Sequence, residues 1–178
     1  RDTSGCLILG RHAKPLRKLN DLFAKNRIAK TYWAVVHGAP PAPEGEIALP
    51  LVRKLLGTTY GFRMHVAAAD EAEAQDALTH YKLLGSAEGM SWLELKPQTG
   101  RTHQLRVHCA AIGCLIVGDV KYGQGSETAA LHLHARAVSV PLSANKPPIV
   151  VTAPVPEEMQ AKLTVCGWDV DQDLALPQ

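Results

Sequence analysis

The chain has 178 residues, 46% of them hydrophobic and 20% charged, which suits one domain with a substantial core and excludes wholesale disorder or a fibrous repeat. No window approaches eighteen consecutive apolar residues, so no membrane-spanning helix is expected, and the N-terminus lacks the apolar stretch of an export signal. A net charge of +2 neither requires nor excludes a polyanion partner, but residues 11–30 carry seven Lys or Arg against the single acid Asp21, +6 there against −4 elsewhere.

In chain order, Cys6-Leu7-Ile8-Leu9 reads as the start of a buried strand. Residues 15–26 place Leu16, Leu19, Leu22 and Phe23 at helical spacing with Lys and Arg between them, and Pro15 suits a first turn. The basic run is thus one face of an amphipathic helix. Residues 31–38 are rich in β-branched and aromatic side chains and predict a strand ending at Gly38. After Pro40-Pro41-Ala42-Pro43, residues 39–64 read as an extended excursion with one short strand at 46–51. Residues 79–84 favour a strand, and 90–97 alternate apolar and polar with the period of a half-buried one.

Beyond the Thr99-Gly100 turn, Leu105, His108, Cys109 and Ile112 recur at helical spacing. The spacing predicts a helix over 102–112, capped by Thr102 and stopped by Gly113. Strands are predicted at 131–140 and 149–153, a short helix at 157–163, and a loosely held acidic tail after Asp169. The order of elements implies an α+β domain over residues 1–163, a mixed, largely antiparallel sheet with flanking helices, followed by an acidic tail at 164–178. Cys6, Cys109, Cys114 and Cys166 show no close pair of metal-type spacing and read as reduced thiols in a cytoplasmic protein.

Arg101, His103, Gln104 and Arg106 gather at a turn and a helix start, where free N–H groups and the helix dipole favour anions. Residues 103 and 106 share a helix face while Arg101 lies in the turn, so one arginine can serve a reaction centre and the other a phosphate. Composition alone allows equally a solvated helix start with two surface arginines. His132 and His134 share a strand face, but no nearby Cys or carboxylate completes a metal set.

The order of residues carries more than their types. Pro97-Gln98-Thr99-Gly100-Arg101-Thr102-His103-Gln104-Leu105-Arg106-Val107-His108, then Gly113 and Gly118-Asp119-Val120-Lys121-Tyr122-Gly123, resembles the RluA-like (Rlu) family of RNA pseudouridine synthases. Lys30-Thr31-Tyr32-Trp33-Ala34-Val35-Val36-His37-Gly38 resembles the family's tyrosine-bearing strand. Leu131-His132-Leu133-His134-Ala135 and Ala153-Pro154-Val155-Pro156 resemble its C-terminal strands. The resemblance covers about residues 1–163 and implies a pseudouridine-synthase-like fold.

It implies that Arg101 pairs with a catalytic aspartate, and that Tyr32 stacks on the target uracil and takes part in its deprotonation. A carboxylate kept ionised in a closed site needs a fixed cation, and an aromatic face holds a base removed from its stack. Beside such a site, His103, Gln104, Arg106, Lys30 and Arg11 become candidates for RNA contact. Asp119 and Tyr122 are expected to hold a turn near the cleft. The resemblance implies a monomer acting on structured RNA, ribosomal RNA first and transfer RNA second, with no cofactor and no metal.

One departure from the pattern matters. In the family the catalytic aspartate closes a His-Arg-Leu-Asp run, and the segment just after that run resembles Arg1-Asp2-Thr3-Ser4-Gly5, so the nucleophile is expected immediately before Arg1. Asp2 comes two places late and is expected to point away. Residues 1–178 by themselves would then bind RNA without isomerising it, which keeps an inactive RNA-binding module as the alternative.

Overall fold

The computed structural model describes residues 2–55, 61–126, 129–143 and 145–171. Thr31, Tyr32, Trp33, Val35 and Val36 favour extended backbone, and they lie in a central strand of a seven-stranded sheet. The elements in chain order are β1 (Ser4–Gly5), α1 (Ala13–Ala24), β2 (Ala29–His37), β3 (Glu44–Ala48), β4 (Leu51–Leu55), β5 (Phe62–Val66), β6 (Leu78–Ala87), β7 (Met90–Pro97), α2 (Gln104–Ala111), β8 (Leu133–Val140), β9 (Ile149–Thr152) and α3 (Glu157–Val165).

The sheet runs β1-β8-β2-β7-β6-β3, and β9 also pairs with β8. All its pairings are antiparallel except that of the two-residue β1 with β8. Strands β4 and β5 form a separate antiparallel pair. The fold is α+β with a largely antiparallel sheet, as the order of elements implies.

Two cores sandwich the sheet. Ala34 and Val36 pack with Leu93 and Leu95 against Leu105 and Cys109 of α2, whereas Trp33 and Val35 pack against Met159 and Leu163 of α3. A strand covered on both faces has no polar side to present, so residues 33–36 are buried without alternation. β7 keeps its alternation: Ser91, Leu93 and Leu95 are buried, and Trp92 is half-buried towards the α3 side.

The sequence expectations need correction in several places. Residues 6–9 form no buried strand: β1 is Ser4–Gly5, and Leu7 and Leu9 are more than 70% exposed. In α1 only Leu19 and Leu22 are buried, while Leu16 and Phe23 are exposed. The excursion at 39–64 contains β3, β4 and the start of β5. The packed body extends past residue 163, because Cys166 and Trp168 are buried against α3 and Trp33. Residues 172–178 of the expected acidic tail lie outside the described residues. All four cysteines are free thiols, and no described helix is long and apolar enough to cross a membrane.

Candidate active site

The chain leaves β7 at Pro97, turns through Gly100, and enters α2 at Gln104. Gln104 is buried, and its amide uses its whole hydrogen-bonding capacity. Oε1 accepts from the Thr99 hydroxyl at 2.7 Å and from the Arg101 amide at 3.0 Å, and Nε2 donates to the Leu78 carbonyl and the Thr79 hydroxyl, both at 3.0 Å. Thr99 also accepts from the Leu78 amide at 3.0 Å, so the turn is fastened to β6. Gln104, proposed from the sequence as an RNA contact, thus lines the cleft and pins the turn with its amide.

Thr102 does not cap the helix. The residue preceding α2 is His103, held in the left-handed region at φ 53° with no side-chain cap, and Gln104 reaches back to the Arg101 N–H instead. At the other end, Gly113 has φ +78° and stops the helix as expected.

Arg106 is buried, and its guanidinium grips Asp119 with two hydrogen bonds, Nε to Oδ2 at 2.8 Å and Nη2 to Oδ1 at 2.6 Å. The Asp119 Oδ1 also accepts from the Lys121 and Tyr122 amides. Burial pushes the Asp119 carboxyl up, but the Arg106 hydrogen bonds and these amides outweigh it and hold it below the usual carboxylate range. Arg106 thus lines the cleft with its charge already met by Asp119. Gly118 has φ +78°, and the Ala130 carbonyl stands where its Cβ would project, so only glycine fits before Asp119.

A hydrogen-bond chain continues inward from Gln104. His108 is fully buried, with Nε2 3.0 Å from the Leu49 carbonyl and Nδ1 2.9 Å from the Thr79 hydroxyl. The carbonyl can only accept, so Nε2 carries the proton and Nδ1 accepts from Thr79. Burial lowers the His108 pKa, consistent with that neutral ring.

These supports frame a cleft of about 410 Å³, lined among others by Asp2, Lys30, Tyr32, Arg101 and His103. Arg101 is half-buried, its Nε donating to the Asp76 carbonyl at 2.9 Å, and it has no carboxylate partner among the described residues. Tyr32 sits where the β2–β8 register slips between Thr31 and Trp33. Burial, then the neighbouring Cys6, raises the Tyr32 pKa, so the phenol is protonated at neutral pH. Lys30, two residues earlier, reaches the Thr99 carbonyl at 3.4 Å, and burial lowers its pKa. His103 shares a 2.9 Å hydrogen bond with the Tyr122 hydroxyl.

Six candidates from the sequence therefore meet at one cleft: Tyr32, Lys30, Arg101, His103, Gln104 and Arg106. Arg11 is exposed at the entry to α1 and is not among the cleft residues. Asp2, expected to point away, lines the cleft.

A family model described as RNA pseudouridylate synthase matches residues 1–111. The chain belongs to the RNA pseudouridylate synthase family. It is 40% identical over 160 residues to an uncharacterised RNA pseudouridine synthase of Zymomonas mobilis, covering 88% of this chain and 70% of that protein. It is 36% identical over 124 residues to the ribosomal large subunit pseudouridine synthase C of Rickettsia typhi, covering 69% of this chain and 39% of that one. The chain thus spans about two-fifths of the Rickettsia protein's length. Among solved structures, human RNA pseudouridylate synthase domain containing 4 superposes with a TM-score of 0.70 at 25% identity, over 87% of this chain and 68% of that one.

Within this pseudouridylate synthase domain, sequence reasoning missed one contributor and one pairing. Phe23 of α1 lines the cleft although its helical spacing assigned it to the core. Asp119 holds its turn through the Lys121 and Tyr122 amides as expected, but its grip on Arg106 was not foreseen.

Proposed function

We propose that the cleft receives a uridine extruded from RNA and isomerises it to pseudouridine. One observation carries the reading: the Arg101 guanidinium, with no carboxylate partner among the described residues, shares a nucleoside-sized cleft with the Tyr32 ring. Arg101 keeps a nucleophilic aspartate ionised and oriented, and Tyr32 offers its ring face and a neutral hydroxyl to the uracil. The aspartate that the resemblance expects immediately before Arg1 stands two residues from Asp2. A chain of that length reaches at most about 7 Å, and Asp2 lines the cleft. The bond from the ribose to N1 breaks, the base turns, and the ribose carbon bonds to C5. The C5 proton leaves and N1 takes one up, so substrate and product are isomers.

The substrate we propose is ribosomal RNA, supported by the function named for the Rickettsia relative, with transfer RNA as the second choice. Lys30 and His103 are the RNA-facing groups of the cleft in this reading. Flipping the target costs a few kcal/mol, which basic contacts outside the cleft must offset.

Release of tritium from 5-tritiated uridine RNA tests the proposal. Release by the protein with its upstream aspartate in place, abolished by Asp→Asn there and by Arg101→Ala, is the expected result. RNA binding without tritium release would instead establish the inactive binding module.

A further inference from the structure

The hairpin of β4 and β5 lies against the start of α2, and its residues gather cations around two rings. The Arg53 guanidinium stands 4.0 Å from the Phe62 ring centre, and the Lys121 ammonium 4.9 Å from it. Arg63 stands 5.2 Å from the Tyr122 ring centre. His103 joins the two rings, stacked with Phe62 at 6.1 Å and 14° and edge-on to Tyr122 at 5.5 Å.

The cations of this group are unequally paired. Arg106, also over Tyr122, is neutralised by Asp119, and Lys54 of the same hairpin is paired with Glu71. Arg53, Arg63 and Lys121 have no ion pair among the described residues. Burial first, and then Arg106 and Lys121, depress the His103 pKa, so the ring at the centre of the group stays neutral amid positive potential. Holding like charges together costs free energy that an anion would recover.

The rings decide which part of a nucleic acid fits. Phe62 is occupied by Arg53 and His103, so it offers no free platform to a base. Its ring and that of Tyr122 serve to hold cationic side chains in fixed places, an arrangement suited to phosphates. His103 also lines the cleft, so the cations begin where the cleft ends.

We propose that Arg53, Arg63 and Lys121, arrayed on Phe62 and Tyr122, bind the phosphates of the RNA strand flanking the nucleotide in the cleft. The proposal rests on the RNA-modifying reading of that cleft. It assigns affinity to the hairpin side of the site, in place of the basic face of α1 that the charge run suggests.

Binding of a fluorescently labelled oligouridylate over a range of salt concentrations tests it. The comparison is between the wild-type protein, Arg53→Gln/Arg63→Gln/Lys121→Gln, and Lys14→Gln/Lys18→Gln on α1. Each lost phosphate contact on a single strand lowers the slope of log affinity against log salt by about 0.7, so the triple variant should lose about 2. It should bind on the order of a hundredfold more weakly at 0.1 M salt and converge with the wild type near 1 M. Each single Gln variant should lose about one third of that slope, which separates phosphate contacts from a general loss of fold. An unchanged slope in the triple variant overturns the proposal, as does a loss of slope confined to the α1 variant. Wild-type tritium release is read in parallel. Its absence sinks the catalytic reading and leaves the phosphate site standing on its salt slope.

Discussion

Arg101 and Arg106 stand five residues apart in one motif, and the fold treats them in opposite ways. Arg106 is buried and held by two hydrogen bonds to a carboxylate that is itself held by two amides. Arg101 is half-buried in the turn above, tied only through Nε to a main-chain carbonyl, and faces the cleft. The helix start is thus a locked support, and the turn carries a cation with no carboxylate partner among the described residues. On the function we propose, the cation whose charge is already satisfied builds the site, and the one left unsatisfied acts in it.

The contrast breaks most visibly if Arg106 can be removed without unfolding the protein. Removing one partner of a buried ion pair strands the other charge, at a cost of about 3–5 kcal/mol. Arg106→Met should therefore move the urea midpoint far down. Asp119→Asn keeps an oxygen for the Lys121 and Tyr122 amides while removing the charge, so the double variant should recover much of the loss. Additive losses in the double-variant cycle would show that the pair is not coupled.

Arg101→Ala should behave in the reverse manner, with a urea midpoint close to wild type and turnover down on the order of 10²- to 10³-fold in tritium release. RNA affinity should change far less than turnover. Equal losses of binding and turnover would move Arg101 from the reaction to substrate capture. Between these lies Gln104→Ala, which orphans the groups that Gln104 satisfies at Leu78, Thr79, Thr99 and Arg101. It should cost about 1–3 kcal/mol of stability in urea titration and lower turnover through the slackened turn.

The sequence made much of this frame legible and left its loyalties hidden. β7 and β8 show their period in the chain, α2 shows its helical spacing, and the order of residues 97–108 marked the segment that enters the cleft. The resemblance assigned Arg101 to the reaction, but that Arg106 is held by Asp119 could not be read there, because Asp119 lies thirteen residues beyond it and their meeting is tertiary. Gln104 read as an RNA contact, and its role in pinning the turn stayed hidden for the same reason, since two of its partners come from the start of β6. The β4–β5 pair escaped notice because residues 39–64 open on prolines and show no sustained period. Leu7, Leu9 and Phe23 misled in the other direction, because an apolar side chain does not report by itself whether anything covers it.

The smallest expected effect concerns the acid stability of the locked region. Burial lowers the pKa of His103, His108 and His132, so in the folded state each takes up a proton only at lower pH than it does unfolded. Below the unfolded value of about 6.5 the unfolded chain therefore binds more protons, and stability is lost as the pH falls through that value towards the folded ones. The melting temperature should be level between about pH 7 and 8 and fall as the pH drops below about 6.5. His108 should account for a share of the slope, because its neutral ring passes the Thr79 and Leu49 hydrogen bonds inward from Gln104. His108→Gln should lower the melting temperature at neutral pH yet flatten its decline with acid. A decline as steep as the wild type's would place the acid sensitivity outside this chain of hydrogen bonds.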